Sequence, residues 1–312
     1  MPQDAQWLEP NKCDVTKPDQ LSQFQSKLAR WKTIASGPDC HSIAQQMCKI
    51  AWDDAVYRCF NEAMRINAAT GKLPSPATLV ELIHNSFFPC QAMAIRRLLD
   101  PKPTNTKKAV FSIRSLLAEI KADYSLLTRE NYVCYDGTRF EIDSNVDWKI
   151  AHTCFVRHKC FDTLSAISAE CRSRTDTPMP EIVAQLENEL DLAKNLNIYV
   201  NKYFTHAAAP ENRLSIQTYL SNISLRHLQK VYRMTIWATK TIGKLMDEVI
   251  LSEVPTPQFD QFHGWENILM RKEDKDRILR CWNKRVRFFD ILSTQYWDLN
   301  SLYICPYDRA RS

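Results

Sequence analysis

Apolar residues recur along much of this chain at steps of three and four, the spacing that lines one side of an α-helix. Trp52, Val56, Cys59 and Ala63 step 4-3-4. Their helix is expected to follow a capped turn at Gly37-Pro38-Asp39 and to stop near Gly71. Pro76 can open the next helix, with Leu79, Ile83 and Phe87 on one face. Pro89 should bend or break it, and Pro101 should end it. Asn105 or Thr106 can cap a helix carrying Val110, Ile113, Leu117, Ile120 and Tyr124. Residues 146–172 read as helix again. From about 180 to 206, Leu192, Leu196, Tyr199, Tyr203 and His206 step 4-3-4-3. The longest seam is Leu228, Val231, Thr235, Ala238, Ile242, Leu245 and Val249, in a predicted helix over 222–250. Such a seam suits close packing against an antiparallel neighbour.

One stretch reads differently. Tyr132 to Phe140 places Asp136-Gly137 between short β-prone runs, which predicts a small β-hairpin. The sum is an all-α, antiparallel bundle of about five to seven helices with a β-hairpin insert. Residues 1–20 are polar and proline-spaced and read as a loosely held arm, with the bundle over 21–254. After Pro255 and Pro257, residues 255–312 read as an aromatic, basic helical appendage, with Ile278, Trp282, Val286 and Phe289 on one face.

Composition fits this picture. Five glycines are few for a doubly wound sheet or a β-sandwich, and fifteen prolines punctuate the helices. The hydrophobic share of 45% is ordinary for a globular chain of 312 residues. No run reaches the length of a membrane span, and the first residues lack the pattern of a signal peptide. A cytoplasmic protein is therefore expected. Its eleven cysteines, an odd number with no C-x-x-C pair, read as reduced and mostly buried.

Metal sites find little support. His152, Cys154, His158 and Cys160 cluster in sequence, but on a helix only Cys154 and His158 share a face. Asp53-Asp54 and the group Glu187, Glu189 and Asp191 read as solvated helix faces. No Gly-rich phosphate loop or nucleophile elbow is present, so neither a metal nor a cofactor is expected.

Charge is concentrated. The chain carries +5, and residues 271–287 hold eight Lys/Arg against three acidic residues. Arg271, Lys272, Arg280, Lys284, Arg285 and Arg287 are candidate nucleic-acid contacts, set against the plainer reading of a solvated face. Trp282, Arg285, Phe288, Phe289, Tyr296 and Trp297 interleave aromatic and basic groups, as single-strand binders do, although their helical period favours core packing.

The stretch with most chemical content is Asn201-Lys202-Tyr203-Phe204-Thr205-His206, followed by Ala-Ala-Ala-Pro. His206 falls in the last turn of its helix, where unpaired carbonyls favour a protonated imidazole. Such a group can give or take a proton in phosphodiester cleavage by a ribose 2′-hydroxyl. That reaction also needs a cation or donor at the crowded phosphate.

This stretch resembles the HEPN superfamily motif, in particular its abortive-infection-type branch. That motif is an Arg, often followed by Asn or Asp, then a His after four to six residues. Asn201 matches the polar residue and His206 the histidine, while Val200 stands where the Arg is expected. The Ala-rich exit, Arg97 to Pro101 and Ser112 to Leu117 are also similar, and the likeness spans about 20–250. The resemblance implies a helical bundle, a homodimer with paired motifs, and metal-independent endoribonuclease activity in bacterial defence or toxin–antitoxin systems. RNA, a second copy and a cognate antitoxin or defence protein are then the expected partners. His206 would be the acid/base, Asn201 would position the phosphate or the histidine, and Lys202 would replace the missing cation. Arg114 or Arg97 could also supply that charge. Val200 favours a second reading, a catalytically degenerate bundle that binds nucleic acid or a protein. A third is a helical scaffold whose appendage docks onto another protein.

Overall fold

The computed structural model describes residues 14–71, 77–101, 110–134, 148–191, 224–250, 259–267 and 269–294, and single positions at 196, 198, 200, 201 and 257. At 148–154 the description is of backbone alone. Every regular element among these residues is helical.

Helix α1 (Pro18–Ser36) begins inside the segment expected to be a loose arm. Proline at its first position lacks an N–H that would have no partner there anyway. Its buried face of Leu21, Phe24, Leu28, Trp31 and Ile34 repeats at three and four. Each such side chain contributes about 1.5–3 kcal/mol by leaving water. The segment before it is tied down, because the Thr16 hydroxyl donates to Glu130 Oε1 at 2.8 Å.

Helix α2 (Ile43–Thr70) is capped by Ser42 rather than by the turn before it. Gly71, at φ 62°, ends α2 in the left-handed region that glycine enters without strain. Helix α3 (Ala77–Leu98) continues through Pro89 rather than breaking there, and ends before Pro101 as expected. Tyr57 of α2 stacks on Phe87 of α3 with ring centroids 3.6 Å apart.

Helix α4 (Ile113–Ala122) takes its cap from Ser112, whose hydroxyl accepts from Ser115 N, and so starts later than an Asn105 or Thr106 cap implies. Residues 102–109 lie outside the described segments.

The expected hairpin is not seen among the described residues. Tyr132 and Val133 belong to a short helix α5 (Arg129–Val133), capped by Thr128 and closed by Cys134 at φ 62°. Tertiary contacts override the local β preference here. Arg129 is fully buried and donates to Asp176 and Asp162, each at 2.7 Å. The Tyr132 hydroxyl donates to the Lys244 carbonyl at 2.7 Å. Asp136-Gly137 falls outside the described residues.

Helices α6 (Trp148–Ser165) and α7 (Pro180–Asp191) lead to helical positions at Leu196, Ile198 and Val200. Helix α8 (Leu225–Leu245) carries the long seam. Leu228, Thr235, Ala238, Ile242 and Leu245 are all buried, while Val249 lies past the helix end and is exposed. Helix α9 (Lys275–Thr294) follows.

The main core joins buried residues of α1 to α9, including Phe289 and Leu292 of α9. A second, smaller core under α9 gathers Ala55, Cys59, Ala63 and Ile66 of α2 with Phe262, Met270, Ile278 and Trp282. The face expected from Ile278, Trp282, Val286 and Phe289 is therefore the packed face of α9.

Candidate nucleic-acid interface

Helix α9 has two sides because its sequence repeats two patterns out of phase. At 100° per residue, Ile278, Trp282, Arg285 and Phe289 share one side, and all four are buried. Arg280, Lys284 and Arg287 fall on the opposite side, and all three are exposed. They span about 10 Å along the helix, at 1.5 Å per residue.

The basic residues of 271–287 separate into two groups. Arg271 is held by Asp274 at 2.7 Å and by Glu273 at 3.0 Å. Lys275 pairs with Asp260, and Arg277 with Glu62 at 2.9 Å. Lys272, Arg280, Lys284 and Arg287 are exposed, and no ion pair ties them among the described residues. Free surface charge of one sign is what attracts a polyanion. Asp276 and Glu273, both exposed, are carboxylates at the N-terminal edge of this group.

Arg285 is not presented to solvent. Its Nε donates to the fully buried Asp54, and its guanidinium lies 4.0 Å over Phe288 and 4.7 Å over Phe289. Burial, together with the neighbouring Arg58, holds the Arg285 pKa below the usual guanidinium value against the pull of Asp54. Arg58 also donates to Asp54, at 3.0 Å, so two guanidinium groups share one carboxylate. Trp282 and Phe289 are buried and serve packing; Tyr296 and Trp297 lie outside the described residues.

A second basic row went unremarked in the sequence. Arg226, Lys230 and Arg233 of α8 are all exposed and sit at i, i+4 and i+7, the same spacing as Arg280, Lys284 and Arg287. Arg233 reaches 5.6 Å over the ring of Phe288, the residue after Arg287, so the end of this row lies beside α9. The shared spacing was the available signal, and the apolar seam of α8 drew attention away from it.

The residues of the histidine motif are described only in part. His206 and Lys202 lie outside the described residues. Val200 is fully buried in the main core. Asn201 follows it, and its Oδ1 is buried with no hydrogen-bond donor among the described residues. Arg114 donates to the Leu190 carbonyl at 2.7 Å and to Asp191 at 2.8 Å, at the end of α7. Arg97 is exposed in the last turn of α3.

The acidic clusters are tied to cations. Asp53 pairs with Lys49, Glu187 with Lys121, and Asp191 with Arg114. No group of three or more His, Cys, Asp and Glu could hold a metal ion among the described residues. His158 is fully buried, and Cys160 accepts from the Tyr132 hydroxyl at 3.3 Å.

The cysteines depart from the all-reduced expectation. Cys134 is disulfide-bonded, and Cys40, Cys90 and Cys171 are exposed free thiols. A count along the chain cannot show which thiols fold beside one another. No described helix is long and apolar enough to cross a membrane.

No family model, curated protein or solved structure matches the chain.

Proposed function

We propose that this chain is a HEPN-like helical bundle that binds single-stranded RNA without cutting it, using the open face of α9. The observation that carries the reading is the exposed row Arg280, Lys284 and Arg287, with Lys272 at its start and no carboxylate paired to it among the described residues. Arg226, Lys230 and Arg233 extend the positive surface across α8. Phosphate contacts of this kind give affinity and salt dependence with little sequence preference.

The absence of cutting rests on Val200. A neutral side chain sealed in the core supplies no cation to a phosphate. Incubation of the purified chain with labelled RNA tests both halves of the reading. The expected result is a retarded complex and intact RNA. Specific cleavage products that vanish in His206→Ala would replace it with the nuclease reading.

That nuclease reading has one observation in its favour. Among the described residues, Asn201 Oδ1 is a buried acceptor without a donor, which an N–H or O–H of a bound group would satisfy. In it the chain is a metal-independent endoribonuclease of a bacterial defence or toxin–antitoxin system, acting as a cytoplasmic homodimer, with a cognate antitoxin or defence protein as a further partner. His206 is its acid/base, Asn201 the positioning group and Lys202 the cation.

A further inference from the structure

Two thiols meet where α9 crosses α2. Cys59 of α2 donates to the Ile278 carbonyl of α9 at 3.8 Å, and Cys281 of α9 donates to the Arg58 carbonyl of α2 at 3.8 Å. Each sulfur thus sits against the other helix's backbone: Cys281 contacts the residue before Cys59, and Cys59 a residue one turn before Cys281. The two sulfurs also face each other across this crossing, close enough for each to shift the other's titration. Both are free in this structure.

Their surroundings differ. Cys59 is fully buried in the second core, beside Ala55, Ala63, Ile278 and Trp282. Cys281 is half-buried at the edge of that core and open to solvent on one side. The neighbouring Cys59 thiol brings the Cys281 pKa down to about 7. Burial and Glu62 oppose this shift, while Arg58 and Lys284 assist it. The same pairing and burial raise Cys59. The shared proton therefore rests on Cys59, and the accessible sulfur carries the thiolate character that makes cysteine reactive.

We propose that Cys281 and Cys59 form a peroxide-responsive dithiol, with Cys281 the attacking sulfur and Cys59 the resolving one. The Cys281 thiolate attacks one oxygen of hydrogen peroxide. An S–O bond forms, the O–O bond breaks and hydroxide leaves, so sulfur loses two electrons and the peroxide gains them. Cys59 then attacks the sulfenic sulfur. The S–S bond forms and the S–O bond breaks, and the departing hydroxide takes the Cys59 proton to become water. The product is a covalent staple between α2 and α9 through the second core. It adds a modification site that is independent of RNA binding.

The test uses the full chain, reduced and then treated with one equivalent of hydrogen peroxide. Residual thiols are alkylated and linked peptides are mapped by mass spectrometry. The expected product is a Cys59–Cys281 peptide that reverts with dithiothreitol. It should appear about tenfold sooner than modification of the exposed Cys40, Cys90 and Cys171. In Cys59→Ala the sulfenic acid has no resolving partner, so dimedone should label Cys281. Oxidation that reaches the three exposed thiols first, or gives no Cys59–Cys281 peptide, overturns the proposal. The mapping on the unmodified sequence decides the matter even where the variant folds poorly.

Discussion

Val200 shows how one side chain can separate two functions. Placing an arginine there, as the family motif would have it, puts a guanidinium into the main core beside Asn201. Burying an unpaired charge costs several kcal/mol, and proteins escape the cost by unfolding locally. Val200→Arg should therefore lower the urea midpoint, by about 3 kcal/mol or more in stability, and should not bring on RNA cleavage. A stable, newly cleaving Val200→Arg variant would show that position to be solvent-facing. Arg129 is a second decisive residue. Its fully buried guanidinium joins Asp162 and Asp176, so Arg129→Met leaves two carboxylates without their shared cation and should cost about 3–5 kcal/mol in chemical denaturation. Burial alone would raise the Asp162 pKa, but hydrogen bonds from Arg172 and Arg129 outweigh it and hold the carboxyl below its usual value. A depressed carboxylate stabilises the fold above its ordinary pKa, and that stability is lost as pH falls through the folded value. Asp162→Asn should thus be less stable than the natural chain at pH 7, with the difference closing below about pH 4. A difference that persists unchanged to pH 2 would assign the effect to packing. None of this was legible at the residue scale, because a buried Arg and an exposed one look alike in a sequence. Arg285 was read as a phosphate contact for that reason, and the fold spends it on Asp54 and two phenyl rings.

At the scale of elements, periodicity was the reliable signal. The seam of α8 and the buried face of α9 both lie where three-and-four spacing put them, and Gly71 closes α2 as its conformational freedom allows. Helix starts were less legible. Ser42, Ser112 and Thr128 supply the caps by accepting backbone hydrogen bonds. A hydroxyl residue before an apolar run is too common to single these out. The helical turn at Tyr132 and Val133, where a strand was expected, has a clearer cause: both favour strands in isolation, yet the buried ion cluster at Arg129 and the bond from Tyr132 to Lys244 fix that turn. Gly243 marks another tertiary demand. A methyl group there would stand 2.5 Å from the Glu248 carbonyl oxygen, so Gly243→Ala should force the α8 end apart and lower the thermal midpoint by several degrees. An unchanged midpoint would mean that the turn after α8 yields without cost.

For the whole molecule, the basic rows of α8 and α9 give one side of the bundle a positive character that the sequence showed only in its second half. The missed row on α8 is visible once Arg233 and Arg285 are seen to approach the same ring, Phe288. The family resemblance adds a homodimer, for which light scattering should return twice the chain mass of 36.3 kDa. A single-chain mass at micromolar concentration would remove the dimer from the proposal and leave RNA binding in place. The most direct measurement of the central claim is fluorescence anisotropy of a labelled single-stranded RNA titrated at several salt concentrations. The natural chain should bind, with log K falling linearly in log salt. Arg280→Ala/Lys284→Ala/Arg287→Ala should weaken binding and flatten that slope by about 2, or roughly 0.7 for each lost phosphate contact. Equal affinity and equal slope for the two proteins would contradict the account, because the face of α9 would then carry no phosphate.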